Sequence, residues 1–458
     1  MSRKVFISFL GTNNYVLCKY AIEGVVSKPV RFVQEALIEN LCKDWTETDR
    51  ILIFCTSKES TGENGSKEIN WFDNGQPKIV DESEKIGLQH RLQDLKDRSG
   101  LKPKVEQIDI EVGFSEEEIW NIFNVVYSNL QIDDQIYFDV THAFRSIPLF
   151  SVVLFNYSKF MKGSKLESIM YGAFEKMGPV FKVRELPLDE RVAPVINLTN
   201  IVRLQEYNQI ASSLKEFGKV RHLKDALITG RESSSDSVIR NLAKSVSQLD
   251  EYIATIDLME LKKGTFISTF RNNYKNVKKR KGVENPIMNI LEELNKETEE
   301  FVSQDDYKNI EVAINWTIKH DMLMQAYPLT AEYIILRVSD EFNYLKPPQL
   351  NRKQFRVFVS DLLGMPAESF KMRSWGSKLS DYPEVADMMA DDSLIKELRS
   401  LYDPIRLSRN SLAHGNGSIT YAQLKERIPN IICCIQYLNV DYASYPSTQY
   451  IKKCYGIH

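Results

Sequence analysis

With 458 residues, 43% of them hydrophobic and 26% charged, the chain is long enough for two or three domains, each with a sizeable core. Its formal net charge of −3 argues against a surface that coats nucleic acid all over, while leaving room for a local basic groove. Six cysteines (Cys18, Cys42, Cys55, Cys433, Cys434 and Cys454) show no spacing of a zinc site or disulfide framework, so no structural metal is implied and a reducing cytoplasm fits best.

The N-terminus carries Arg3 and Lys4 before an apolar run that is too short for a secretion signal and lacks an Ala-x-Ala-like cleavage site. Val5 to Leu10 reads as a buried parallel strand emptying into the polar loop Gly11-Thr12-Asn13-Asn14-Tyr15. Ile51 to Cys55, Val105 to Ile110, Gln135 to Val140 and Glu167 to Tyr171 are further short strand candidates. Helices are predicted between several of them, over Val30 to Leu41, Ser83 to Lys96, Ser115 to Leu130 and Ser146 to Met161. Strand and helix by turns is the pattern of a doubly wound α/β domain. Thr56 to Pro77, rich in Ser, Gly, Asn and Lys, is expected to be a long surface loop or hairpin. Apolar runs such as Ile147 to Asn156 stop well before they could span a bilayer, so a cytoplasmic protein without membrane contact is expected.

In an open parallel sheet, ligands bind beyond the carboxyl ends of the strands. Gly11 to Tyr15, the start of the Thr56 loop, Thr141 to Arg145 and Gly172 should therefore share one edge. The segment Asp139 to Pro148 is a strand end, a polar turn and a helix start, with Ser146 placed to cap and Pro148 in the first turn. Backbone donors there, beside Thr141, His142 and Arg145, make an anion seat. The alternative is a well-capped turn in which His142 only hydrogen-bonds to the frame, and local chemistry weighs the two evenly.

After Arg191 the composition changes. Val195 to Ile201 is the last strand candidate, and the remainder reads as helices. Val246, Leu249, Ile253 and Ile256 recur as a core-facing stripe. Tyr307 to Leu323, Ala331 to Phe342, Asp392 to His414 and Ala422 to Leu438 are further helices, with Pro404 expected to kink or split the third. The basic run Lys275, Lys278, Lys279, Arg280 and Lys281, beside Tyr274, is either a solvated loop or a seat for a phosphate backbone.

The stretch Leu407 to Gly417 places Arg409 and His414 at one helix end, with Gly415 where a C-cap glycine would stand. The helical repeat leaves the two side chains on neighbouring flanks, so the arginine must reach round to meet the ring. An arginine that clamps phosphate beside a histidine that moves a proton suits phosphodiester chemistry. Basic residues also end ordinary surface helices, where they complement the dipole.

The turn Asp139-Val140-Thr141-His142-Ala143 resembles the Asp-x-Thr-His-Gly signature of CRISPR-associated proteins of the DxTHG family, which belong to type III systems. The stretch Arg409 to His414 resembles the Arg-x4-6-His motif of HEPN ribonucleases, with Asn410 as the polar residue that commonly follows the arginine. Members of that family join an N-terminal Rossmann-like CARF domain to a C-terminal helical HEPN domain. Carried onto this chain, that order implies a CARF domain over residues 1–200 and a helical domain ending in the HEPN motif over 201–458.

The resemblance implies a metal-independent endoribonuclease acting on single-stranded RNA and switched on by a cyclic oligoadenylate, with cyclic tetra-adenylate the commonest choice. The messenger would lie against Gly11, Thr12, Asn13, Asn14, Thr141, His142, Ala143, Phe144, Arg145 and Ser146. Ala143 stands where the signature has glycine, and would be strained if that backbone needs positive φ or close approach to a phosphate. HEPN sites are composite, with one arginine and one histidine from each protomer, which implies a homodimer or higher homo-oligomer. Arg409 would stabilise the phosphoryl oxygens, His414 would transfer a proton or hold the phosphate, and Asn410 would orient substrate or motif. Lys278, Lys279, Arg280 and Lys281 are candidate RNA contacts. No cofactor is implied. Two other readings stand beside this one. One is a CARF sensor whose helical half is a non-catalytic interaction domain; the other is a CARF ring nuclease that degrades the messenger through Thr141, His142 and Ser146.

Overall fold

Short, β-branched and aromatic runs build the first half of the computed structural model, which describes residues 2–72, 86–142, 146–229, 237–279, 285–376, 378–414 and 419–439. The chain divides into two compact units, Met1–Leu204 and Gln205–His458. In the first, eight strands form one sheet: β1 Lys4–Leu10, β2 Lys19–Ile22, β3 Val25–Val26, β4 Arg50–Thr56, β5 Lys104–Ile110, β6 Gln135–Asp139, β7 Lys165–Gly172 and β8 Val192–Asn197. Their order across the sheet is β3-β2-β8-β7-β6-β1-β4-β5. β5, β4, β1, β6 and β7 are mutually parallel, and β2 is parallel to β8. β8 runs antiparallel to β7, as β3 does to β2.

The winding of this sheet positions the site. Phe6, Leu10, Ile51 and Ile53 pack under the helices Val33–Leu41 and Leu88–Ser99. Val5, Ile7, Phe9, Leu52 and Phe54 pack on the opposite face, with Ile122 and Val126 of Glu116–Ser128 and Leu154 and Phe155 of Ser146–Lys162. The chain therefore winds outward through β4 and β5 over one face, then returns to the other side of β1 and continues through β6 and β7 over the other. The winding reverses between β1 and β6, whose carboxyl ends open the crevice where an α/β sheet takes its ligand.

The second unit is helical, built around Leu323–Glu341, a helix buried on most of its circumference. The fold is thus an α/β sheet domain followed by an all-α region. No described helix is long and apolar enough to cross a membrane.

Several elements depart from the sequence reading. The strand read at Val195 to Ile201 is Val192–Asn197, because the Asn197 side chain accepts from the Thr199 amide and hydroxyl at 3.0 and 2.6 Å and starts a helix there. Within the expected Thr56 loop, Lys58–Thr61 and Lys67–Trp71 are helical turns; Glu68 holds them together by accepting from Lys58 N and Gly65 N, and 73–77 lie outside the described residues. β2 and β3 went unread, being too short for a periodic signal. The helix read over Tyr307 to Leu323 ends at Lys319, and Asp321 at φ 58° turns the chain into Leu323–Glu341. Pro404 does not split its helix, which is continuous over Ser393–His414. Ala422 to Leu438 is instead two helices, Tyr421–Glu426 and Ile428–Leu438, with Pro429 opening the second. Gly415 lies outside the described residues.

Candidate functional site

At the switch point, the last residue of β6 organises the turn. Asp139 is fully buried; its Oδ2 accepts from Ser8 Oγ at 2.7 Å, and its Oδ1 accepts from Thr141 N and Oγ1 at 3.0 and 2.6 Å. Thr141 Oγ1 in turn accepts from Gly172 N at 2.8 Å, and Gln34 Nε2 donates to Ser8 Oγ at 3.0 Å. Burial raises the Asp139 carboxyl above the usual range, and the bonds from Thr141 and Ser8 hold it down in part. An Asp-x-Thr sequence here closes a local turn on the aspartate side chain and ties the ends of β1, β6 and β7 together. The carboxyl is occupied by the frame.

Next to it, the His142 ring lies on Tyr15 with centroids 4.1 Å apart, and Tyr15 meets Phe32 edge-on at 5.4 Å. His142 Nε2 is shut from solvent and has no hydrogen-bond partner among the described residues, and Asn14 Oδ1 is in the same condition. Burial lowers the imidazole pKa from 6.5 to about 3, so the ring is neutral at physiological pH. Gly11 is there for space: a Cβ would come within 2.5 Å of the Tyr15 hydroxyl and 3.1 Å of the His142 carbonyl oxygen. Asn70 Nδ2 donates to the carbonyls of Gly11 and Asn13 at 2.8 and 3.0 Å, while Arg31 Nη2 donates to Asn70 Oδ1 at 3.1 Å. Thr12 and Asn14 are half-buried and Asn13 is exposed.

Gly11 to Asn14, Thr141, His142 and Gly172 thus meet on one edge. Ala143, Phe144 and Arg145, with the expected strain at Ala143, lie outside the described residues. Of Ser146 only the backbone is described, as the first residue of its helix.

In the helical unit, Ser393–His414 ends at the histidine. Asn410 and His414 are exposed and Arg409 is half-buried. Arg409 does not turn to the ring; its Nη2 pairs with Glu332 Oε1 at 2.9 Å. Ser408, one residue before it, donates to the Pro404 carbonyl at 2.8 Å and accepts from Arg427 Nη1 at 3.1 Å, which anchors this end of the helix to Ile428–Leu438 and its preceding turn. Of the basic run, Lys275, Lys278 and Lys279 are exposed at the end of Thr265–Lys278, Lys278 pairs with Glu292 at 3.7 Å, and Arg280 and Lys281 lie outside the described residues.

No family model matches the chain. It is 26% identical over 293 residues to the CRISPR-associated protein MJ1674 of Methanocaldococcus jannaschii, a match that covers 57% of this chain and 42% of that protein. The chain is similar to a CRISPR-associated protein.

Chemically, the sheet edge offers a neutral imidazole whose Nε2 lacks a partner, the Asn14 Oδ1 and Tyr15 hydroxyl oxygens in the same condition, and a glycine loop pinned from behind. Such a surface has the chemistry to take a ligand by hydrogen bonds. With a pKa of about 3, His142 is poorly matched to proton transfer at neutral pH. The helix end offers a guanidinium and an exposed imidazole on one element, the pieces of metal-free phosphodiester chemistry. Sequence reading missed Asn70, Arg31 and Gln34 at the first place and Glu332 at the second. Ser8 was the one signal available, a polar residue inside an apolar strand; the others sit in segments that read as loop or ordinary helix.

Proposed function

We propose that the protein is an endoribonuclease of type III CRISPR defence that cleaves single-stranded RNA, needs no metal, and is activated by a cyclic oligoadenylate, most simply cyclic tetra-adenylate. The observation that carries this reading is the exposed end of Ser393–His414, where Arg409, Asn410 and His414 stand together on one helix. The similarity to a CRISPR-associated protein supports its setting. The crevice at the β1/β6 switch point, with Gly11 to Asn14 facing Thr141 and His142, supports a ligand site in the other unit.

RNA carries its own nucleophile. The ribose 2′-oxygen attacks the adjacent phosphorus and the 5′-oxygen leaves, giving a 2′,3′-cyclic phosphate and a new 5′-hydroxyl. Arg409 meets the charge on the phosphoryl oxygens, and His414 carries a proton between the attacking or leaving oxygen and solvent. The working form is a homodimer that assembles two such helix ends. An apolar face on the first unit supports self-association: Val153, Tyr157, Phe160 and Met161 of Ser146–Lys162 are exposed, and Tyr157 meets Phe123, which meets the exposed Trp120.

The test is purified protein with labelled single-stranded RNA in EDTA, with and without cyclic tri-, tetra- and hexa-adenylate. Messenger-dependent cleavage that disappears in His414→Ala is the expected result. Absence of RNA cleavage with every messenger overturns the proposal in favour of a sensor with a non-catalytic helical half. Loss of messenger without RNA cleavage points to a ring nuclease.

A further inference from the structure

Three helices of the second unit meet at one carboxylate. Glu332 sits midway along Leu323–Glu341 between the buried Ala331 and Tyr333. Its two oxygens are divided: Oε1 meets Arg409 Nη2 at 2.9 Å, and Oε2 accepts from Arg356 Nη2, on the helix Arg352–Leu363, at 3.1 Å. The Glu332, Arg356 and Arg409 side chains keep 26%, 28% and 34% of their surface exposed, so the trio is partly desolvated yet open on one side. Its net charge is +1. An ion pair made only to join two helices needs one guanidinium; the second leaves the carboxylate with no free oxygen and the cluster with a positive surplus.

An arginine side chain has four flexible torsions and five N–H donors. Holding one terminal nitrogen removes much of that freedom and leaves the remaining donors available to a phosphate. This is how a supporting carboxylate orients a group that acts on substrate.

We infer that Glu332 is the positioning residue of Arg409, and that Arg356 fixes Glu332 by occupying its second oxygen. The inference rests on the ribonuclease reading, since it assigns how that arginine is aimed. Arg409 touches the scissile phosphate; Glu332 and Arg356 act through it.

The experiment measures kcat and KM of messenger-activated RNA cleavage for the full-length wild type, Glu332→Gln, Glu332→Asp, Arg356→Gln, Arg356→Lys and the double variant Glu332→Gln/Arg356→Gln, with thermal midpoints for each. Loss of the partner that orients a metal ligand costs about 10- to 100-fold in activity, and loss of the partner that orients Arg409 is expected to cost a similar amount. Glu332→Gln is expected to lose that much in kcat with KM for RNA little changed, Arg356→Gln to lose less, and Glu332→Asp and Arg356→Lys to recover part. The double variant removes one charge of each sign, so the site keeps the wild-type net charge instead of the larger surplus of Glu332→Gln, while Arg409 stays untethered. On a positioning role it stays as slow as Glu332→Gln. On a merely structural role it restores both midpoint and kcat, and that result overturns the inference, as does wild-type kcat in Glu332→Gln. His414→Ala is run alongside. If the wild type cleaves, His414→Ala does not and the Glu332 variants are unimpaired, only this inference falls; if the wild type does not cleave with any messenger, the ribonuclease reading falls and takes this one with it.

Discussion

His142 makes the first unit sensitive to acid by an amount that follows from its burial. The imidazole pKa falls from 6.5 to about 3 because the ring is packed on Tyr15 with Nε2 shut from water. Above pH 6.5 neither the folded nor the unfolded chain protonates this ring, and its contribution to stability is full. Below 6.5 the unfolded chain takes up the proton and the folded chain does not, so stability is lost at about 1.4 kcal/mol per pH unit until the folded ring titrates near 3. Between pH 6.5 and pH 5 that amounts to about 2 kcal/mol, as an upper figure. Asp139, with its pKa raised, acts in the opposite sense, since the folded chain gains the proton first as pH falls. Comparing the wild type with His142→Gln cancels that term and all others not involving the ring. Urea unfolding at pH 7 and pH 5 is the assay. Wild type should lose about 2 kcal/mol more than His142→Gln over that interval. Equal losses in the two proteins would refute the burial argument and free His142 to act as an acid or base in the crevice.

Two more outcomes are expected. Gly11→Ala puts a Cβ at 2.5 Å from the Tyr15 hydroxyl, so the Tyr15–His142 stack must shift; overpacking of this kind costs about 1–3 kcal/mol, seen in thermal unfolding, and messenger affinity measured by calorimetry should drop with it. Replacing Lys278 and Lys279 by alanine should weaken RNA binding and lower its salt dependence by about one power of salt concentration per lysine. Unchanged binding would return these residues to a solvated helix end.

The fold was legible where the chain buries long apolar runs. β1 and β4 are read to within a residue because buried Val, Ile, Leu and Phe on both faces leave no other place for them, and β5 and β6 are read as closely from shorter apolar patterns, Val105, Ile108 and Ile110 in one and Ile136 and Phe138 in the other. β2 and β3 were not, since four residues and two residues carry no period, and their place in the sheet comes from pairing with β8. Element ends were misread where local geometry overrides a trend, as the Asn197 side chain does by ending a strand before Thr199 and as the positive φ of Asp321 does by ending a helix after Lys319. The sheet edge was legible from topology alone: parallel strands had to bring Gly11, Thr141 and Gly172 to one side. Its second layer was not. Arg31 is 1% exposed and reaches Asn70 across 39 residues of sequence, a contact no local pattern announces. The expected Arg409 to His414 contact failed for the same reason, because the partner that claims the arginine lies on another helix.

That partner bears on why the proposed nuclease needs two chains. In-line attack by a 2′-oxygen requires one group to take a proton and another to give one to the departing 5′-oxygen, while a cation holds the phosphoryl oxygens between them. One helix end supplies a single imidazole, which can be base or acid in a given step but not both. It also supplies a single guanidinium, already tied at one nitrogen to Glu332. A second copy related by a twofold axis adds the missing imidazole and a second fixed guanidinium without any new residue type, since an isologous contact presents the same surface twice. On the proposed reading, the sheet domain can therefore regulate catalysis by setting how two identical helix ends meet. The tether to Glu332 keeps each arginine ready in the single chain, so that little beyond the meeting itself has to change.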